Sequence, residues 1–136
     1  MKLSAFGLLA ILFSLGCQSA LAQQVISLKN ERGSVLKVIK LADNRIKGYF
    51  TTAVASKSCP QAINVKRPIT GYYVGNTITF SVVYPMCESV LSISGNFNKS
   101  EQTLDTISIL NKQATDITHE GPGARFIGHD FYKRLN

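Results

Sequence analysis

The chain has 136 residues, 45% of them hydrophobic, and 15 basic against 8 acidic residues give a net charge of +7. That length fits one domain with a usable core. The basic residues are spread over strands and turns and never form a dense run, which favours a solvated basic face over a nucleic-acid or lipid surface, and no stretch beyond the leader has the ~20 apolar residues of a membrane helix.

The first 22 residues read as a cleaved signal peptide. Lys2 supplies a positive start, Leu8 to Leu15 an apolar run, and Ala20-Leu21-Ala22 a small-x-small cleavage site. The mature domain then spans residues 23–136 and is exported, secreted or periplasmic. Cys17 follows Ser14-Leu15-Gly16, a poor lipobox, so cleavage without lipidation is expected.

Short strands follow at nearly even spacing. Residues 25–28 and 35–41 are predicted strands separated by the turn Asn30-Glu31-Arg32-Gly33. Residues 45–53 follow the turn Ala42-Asp43-Asn44. A polar loop over residues 56–67 holds Cys59 and Pro60. Residues 69–74 form the fourth strand, with Pro68 at its start, and Gly75-Asn76 is a tight turn. Residues 77–84 are the clearest strand, alternating Ile78, Phe80, Val82 and Tyr84 with Thr77, Thr79, Ser81 and Val83. Pro85-Met86-Cys87 ends it. Residues 90–97, 103–110 and 124–135 complete a set of about eight, with no helix. Such a series predicts a closed barrel or a sandwich. A barrel of eight strands has room for one small ligand.

Alternation assigns the faces. Leu36, Val38, Ile46, Gly48, Phe50 and Thr52 point inward, whereas Lys37, Lys47 and Tyr49 point outward. On the seventh strand an inward Leu104, Thr106 and Ser108 leave Ile107 and Ile109 outside. That apolar stripe is a candidate subunit interface.

Cys59 and Cys87 survive cleavage. Export makes a disulfide the expected state of an even pair, the alternative being two buried free thiols. No metal site is expected, because neither cysteine has a second ligand at zinc spacing and the histidines are only His119 and His129. No catalytic residue emerges either. His129 and Asp130 are strand neighbours on opposite faces, and neither a Gly-x-Ser-x-Gly turn nor a carboxylate pair is present. Tyr72 and Tyr73 also face opposite ways and cannot stack on one nucleic-acid ligand.

Several segments resemble the avidin and streptavidin family. Leu28-Lys29-Asn30-Glu31-Arg32-Gly33-Ser34 is similar to its Trp-x-Asn-x-x-Gly-Ser opening. Gly48-Tyr49-Phe50-Thr51-Thr52-Ala53-Val54 is similar to Gly-Thr-Tyr-x-Ser/Thr-Ala-Val. Ile69-Thr70-Gly71 and Thr79 to Tyr84 resemble its fourth and fifth strands, and Gly128-His129-Asp130 with Phe131 to Lys133 its last. The match covers nearly all of the mature chain in order. It implies an all-β fold, an eight-stranded antiparallel up-and-down barrel that binds biotin at one end.

The resemblance also implies a site. Asn30, Ser34 and Phe50 take the positions of three donors to the ureido oxygen, and Phe50 lacks the hydroxyl. Thr52 and Asp130 take the positions that accept the two ureido N–H groups. Ser89 corresponds to a serine near the valerate carboxylate, and Leu91 to a threonine near the ring sulfur. The family's aromatic walls correspond to Tyr84, Ile93, Ser108 and Pro122. The chain has no tryptophan, and a lost buried aromatic costs ~3–5 kcal/mol at one site. Reduced biotin affinity follows, or a different or bulkier ligand. Cys59, Cys87 and Pro122 together resemble the dimeric bacterial, rhizavidin-like branch. There a bridge joins the two loops beside the ligand and would lower the ordering cost of binding. The implied partners are biotin and a second copy of the chain. The competing expectation is a degenerate pocket in a structural or interaction protein, against which Asn30, Ser34, Thr52 and Asp130 are retained.

Overall fold

The computed structural model describes residues 24–119, 121, 123 and 125–136. The predicted signal peptide, its Cys17 and the start at Gln23 lie outside them. Eight antiparallel strands follow one another around a closed barrel: β1 (Val25–Asn30), β2 (Val35–Lys40), β3 (Arg45–Thr51), β4 (Lys66–Val74), β5 (Thr77–Tyr84), β6 (Ser89–Asn98), β7 (Thr103–Lys112) and β8 (Arg125–Arg134). Each strand pairs with the next, and β8 closes on β1 through Leu28↔Arg134, Lys29↔Lys133 and Asn30↔Tyr132. The up-and-down order leaves no free sheet edge. Single 3₁₀ turns, Pro60–Ala62 and Pro85–Cys87, sit in the loops after β3 and β5.

Period-two patterning produces these strands. On β3, Ile46, Gly48 and Phe50 are buried while Arg45, Lys47 and Tyr49 are exposed. On β5, Phe80, Val82 and Tyr84 are buried. Leu28, Leu36, Val38, Ile69 and Leu104 complete the central core, and the Phe50 and Phe80 rings meet at 6.5 Å in a tilted contact. Gly48 is required where β3 crosses β2. Its φ is +153°, and a Cβ there would stand 1.9 Å from the Lys37 carbonyl oxygen.

Several predicted boundaries shift for local reasons. β1 runs on to Asn30 because Lys29 and Asn30 find partners on β8, a pairing invisible before closure. β3 stops at Thr51 rather than residue 53, since the Thr52 side chain ties the chain into a turn at Val54. β4 starts at Lys66, so Pro68 lies inside a strand rather than at its start. The β4–β5 ladder begins at Ile69↔Val82, which leaves Lys66 to Pro68 paired on one side only, where a missing N–H is tolerated. The Arg67 guanidinium Nε there donates to the Val83 carbonyl at 2.8 Å. β7 extends to Lys112, directly across from Ser89 on β6.

Candidate functional site

A cavity of about 390 Å³ occupies the barrel end framed by the loops after β1, β3, β5 and β7. That volume suits one small molecule. Asn30, Ser34, Phe50, Thr52, Tyr84, Ser89, Leu91, Ile93, Ser108 and Asp130 all line it, so one chamber brings together every described position that the resemblance singled out. Pro122 lies outside the described residues. The Cys59–Cys87 disulfide, with Cα atoms 5.6 Å apart, joins the loop after β3 to the loop after β5, and both cysteines line the cavity.

The polar floor is set by backbone geometry. Asn30 ends β1, and its Oδ1 accepts the backbone N–H groups of Arg32 at 3.1 Å and Ser34 at 2.8 Å. Two backbone donors fix the oxygen there and leave Nδ2, turned towards the Tyr132 phenol, as the donor end of the amide. The intervening turn needs Gly33, at φ +95°. Ser34 Oγ accepts from the Ala53 N–H at 3.0 Å, which leaves its own proton to donate. Thr52 Oγ1 shows the opposite polarity: it donates to the Val54 carbonyl at 2.5 Å and accepts from the Val54 N–H at 3.2 Å. Its proton is committed, so it can meet a ligand only as an acceptor.

Asp130 on β8 is buried at 8% exposure, while its neighbour His129 points outward and pairs with Asp105. The Asp130 backbone carbonyl accepts from Thr106 Oγ1 at 3.0 Å, which steadies the strand. Arg32 Nε lies 3.3 Å from Asp130 Oδ1. That oxygen is nonetheless sealed from solvent and accepts no well-aligned hydrogen bond among the described residues. A buried carboxylate oxygen in that condition is costly until a donor meets it.

Among the lining residues that reasoning from sequence missed, Arg32, Lys112 and Tyr132 bring further hydrogen-bonding groups. Tyr132 is fully buried and sits opposite Asn30 across the closing ladder. Burial raises its phenol pKa well above the ordinary value, the Asp130 charge adds to the rise, and the Asn30 side chain opposes it. Alternation carried the signal, since Tyr132 is two residues beyond Asp130 and shares its inward face. Tyr84 is the other buried phenol. Its hydroxyl has no partner among the described residues. Burial pushes its pKa up to about 12, against the pull of the Arg67 charge.

The remaining wall is small or aliphatic. Ser108 on β7 faces Gly128 on β8, where a Cβ would approach Ser108 Oγ to 2.7 Å. This pairing of small residues widens the chamber on the β7–β8 side. Leu91, Ile93, Leu110 and Phe126 supply the apolar lining.

The avidin family model matches residues 22–135. The chain belongs to the avidin family. None of the curated proteins matches the sequence. Among solved structures, the bradavidin2–biotin complex is similar at 23% identity and a TM-score of 0.66, over 82% of this chain and 96% of that one. The rhizavidin–biotin complex is similar at 22% identity and 0.67, over 87% and 98%. Intact afifavidin, in its apo form, is similar at 24% identity and 0.68, over 82% and 81%. At such identities these likenesses establish the avidin barrel itself.

Proposed function

We propose that this avidin-family protein is an exported binder of biotin or a closely related cyclic urea, with lower affinity than a tryptophan-walled pocket provides. The observation that carries this reading is the division of the floor into donors and acceptors. Asn30 Nδ2 and the Ser34 hydroxyl are the donor groups, whereas Thr52 Oγ1 and the Asp130 carboxylate are left to accept. A urea presents the complement, one carbonyl oxygen between two N–H groups. The Asp130 charge strengthens its bond to a ureido N–H in a dry chamber. Phe50 contributes no hydroxyl, and Tyr132 puts a phenol beside Asn30 in its place. The related barrels of bradavidin2 and rhizavidin were solved as biotin complexes, which supports the choice of ligand.

Weaker binding follows from the walls. Ile93 and Ser108 stack poorly against a bicyclic ring, and Arg32 must yield its contact with Asp130 before a ureido N–H can replace it. Export through the N-terminal leader accords with the disulfide. Assembly as a homodimer accords with the outer face of β7 and β8, where Ile107, Ile109 and Ile127 are 59%, 40% and 79% exposed. The decisive experiment is calorimetric titration of the mature protein with biotin. Saturable heat at one site per chain is expected. No heat and no thermal shift at millimolar biotin would overturn the reading.

A further inference from the structure

Among the described residues, three charged side chains line the cavity: Arg32, Lys112 and Asp130. Arg32 and Asp130 face each other at the floor, 3.3 Å apart, and largely neutralise one another. The charge of Lys112 is left over, at the end of β7 where the loops frame the cavity. Lys112 is the last residue of β7 and stands across the ladder from Ser89. Its Nζ donates to Ser58 Oγ at 3.1 Å. Ser58 immediately precedes Cys59, in the loop that the disulfide ties down. The ammonium is thereby held at the rim rather than left to sweep through solvent.

Between floor and rim the lining is apolar, with Leu91, Ile93, Leu110 and Phe126. The chamber therefore presents a polar floor, an apolar middle and a cation at its mouth. A molecule that matches all three carries a hydrogen-bonding head, a hydrocarbon spacer and a terminal anion.

We infer that Lys112 is a specificity-determining residue that takes the free carboxylate at the far end of the ligand, with the Ser89 hydroxyl beside it. The inference rests on the biotin reading above and deepens it. A carboxylate at the rim gains a charge-assisted hydrogen bond from Lys112. An amide or ester of the same acid gains only a neutral one, and among the described residues Lys112 forms no ion pair. The protein thus selects the free acid over conjugates whose carboxyl group is tied up in an amide, and collects the small molecule rather than macromolecules that bear it.

The test compares biotin, biotinamide and biotin methyl ester on the mature wild-type protein and on Lys112→Gln and Lys112→Arg, with thermal melts as the check on folding. Wild type should bind the acid about tenfold or more tightly than either neutral derivative. Lys112→Gln should bind all three alike, and Lys112→Arg should keep the preference. Raised salt should weaken acid binding by wild type and leave binding of the amide unchanged. Equal affinity of wild type for acid and amide, or a preference that survives in Lys112→Gln, overturns this inference and leaves the biotin reading standing. Failure of wild type to bind any of the three overturns both.

Discussion

On β2 and β3 the barrel points apolar side chains inward and lysines outward; over Thr106 to Ile109 of β7 and Ile127 to Asp130 of β8, small or polar groups point inward and isoleucines are among those pointing outward. Leu36, Val38, Ile46 and Phe50 are buried behind an exterior of Lys37 and Lys47. That exterior is completed by Lys66 Nζ, 4.1 Å above the Tyr49 ring, and Lys40 Nζ, 4.8 Å above Tyr73. Opposite, Thr106, Ser108, Gly128 and Asp130 look inward, and Ile107, Ile109 and Ile127 look outward. The first region is complete once the chain folds, with apolar groups in the dry interior and charges in water. The second leaves polar groups inside without full partners and apolar groups outside without cover. Folding alone does not satisfy it, which is the ground for assigning the proposed ligand and the proposed second copy to this region.

The largest expected effect concerns the outer face of the second region. Replacing both members of the cross-strand pair Ile109↔Ile127 by aspartate should convert the proposed dimer fully to monomer in light scattering, with the β-sheet circular dichroism retained. A dimer that survives the double substitution would separate the apolar face from assembly. Next comes the core of the first region. Leu36 has 0% exposure, and Leu36→Ala should cost about 2–5 kcal/mol in urea unfolding. A cost below about 1 kcal/mol would mean that the two regions do not divide the work of stability as described.

Asp130→Ala probes the inner face of the second region. It should weaken biotin binding by about 1.5–3 kcal/mol if the carboxylate takes a ureido N–H. The same substitution should cost little stability, since the Asp130 backbone carbonyl, not its carboxylate, accepts from Thr106. Unchanged affinity would remove Asp130 from the site.

The two regions were also unequally legible from sequence. Strict alternation on β3 and β5 displays the buried face directly, and the order of short motifs carried Asn30, Ser34, Thr52 and Asp130 to one chamber. What stayed hidden depends on closure and register. Tyr132 reaches Asn30 only through the β1–β8 ladder, which joins the two ends of the domain. Lys112 reaches the mouth only because β7 runs two residues beyond its predicted end to pair with Ser89. Arg32 sits in a turn, where alternation assigns no face. Pro68 reads as a strand boundary, since a proline cannot donate to a ladder on both sides, and only the late start of the β4–β5 pairing shows why it is accommodated.

The smallest effect separates the aromatic groups of the two regions by their chemistry. Phe50 and Phe80 pack in the core with nothing to titrate, whereas Tyr84 keeps a buried hydroxyl at the cavity. Its pKa rises from an ordinary 10.0 to about 12 because burial disfavours the phenolate. Between these values the unfolded chain loses its proton while the folded chain retains it, so the folded state binds more protons and stability falls as pH rises. The contribution is fully present below pH 10 and lost progressively towards pH 12. By pH 11 the difference should reach about 1 kcal/mol. Urea unfolding at pH 9 and pH 11 of wild type and Tyr84→Phe isolates it, because the lysines titrate in both proteins and cancel in the comparison. A steeper alkaline loss in wild type is expected. Identical losses would mean that the Tyr84 hydroxyl meets water in the cavity, and that the chamber is wetter on that wall than its burial implies.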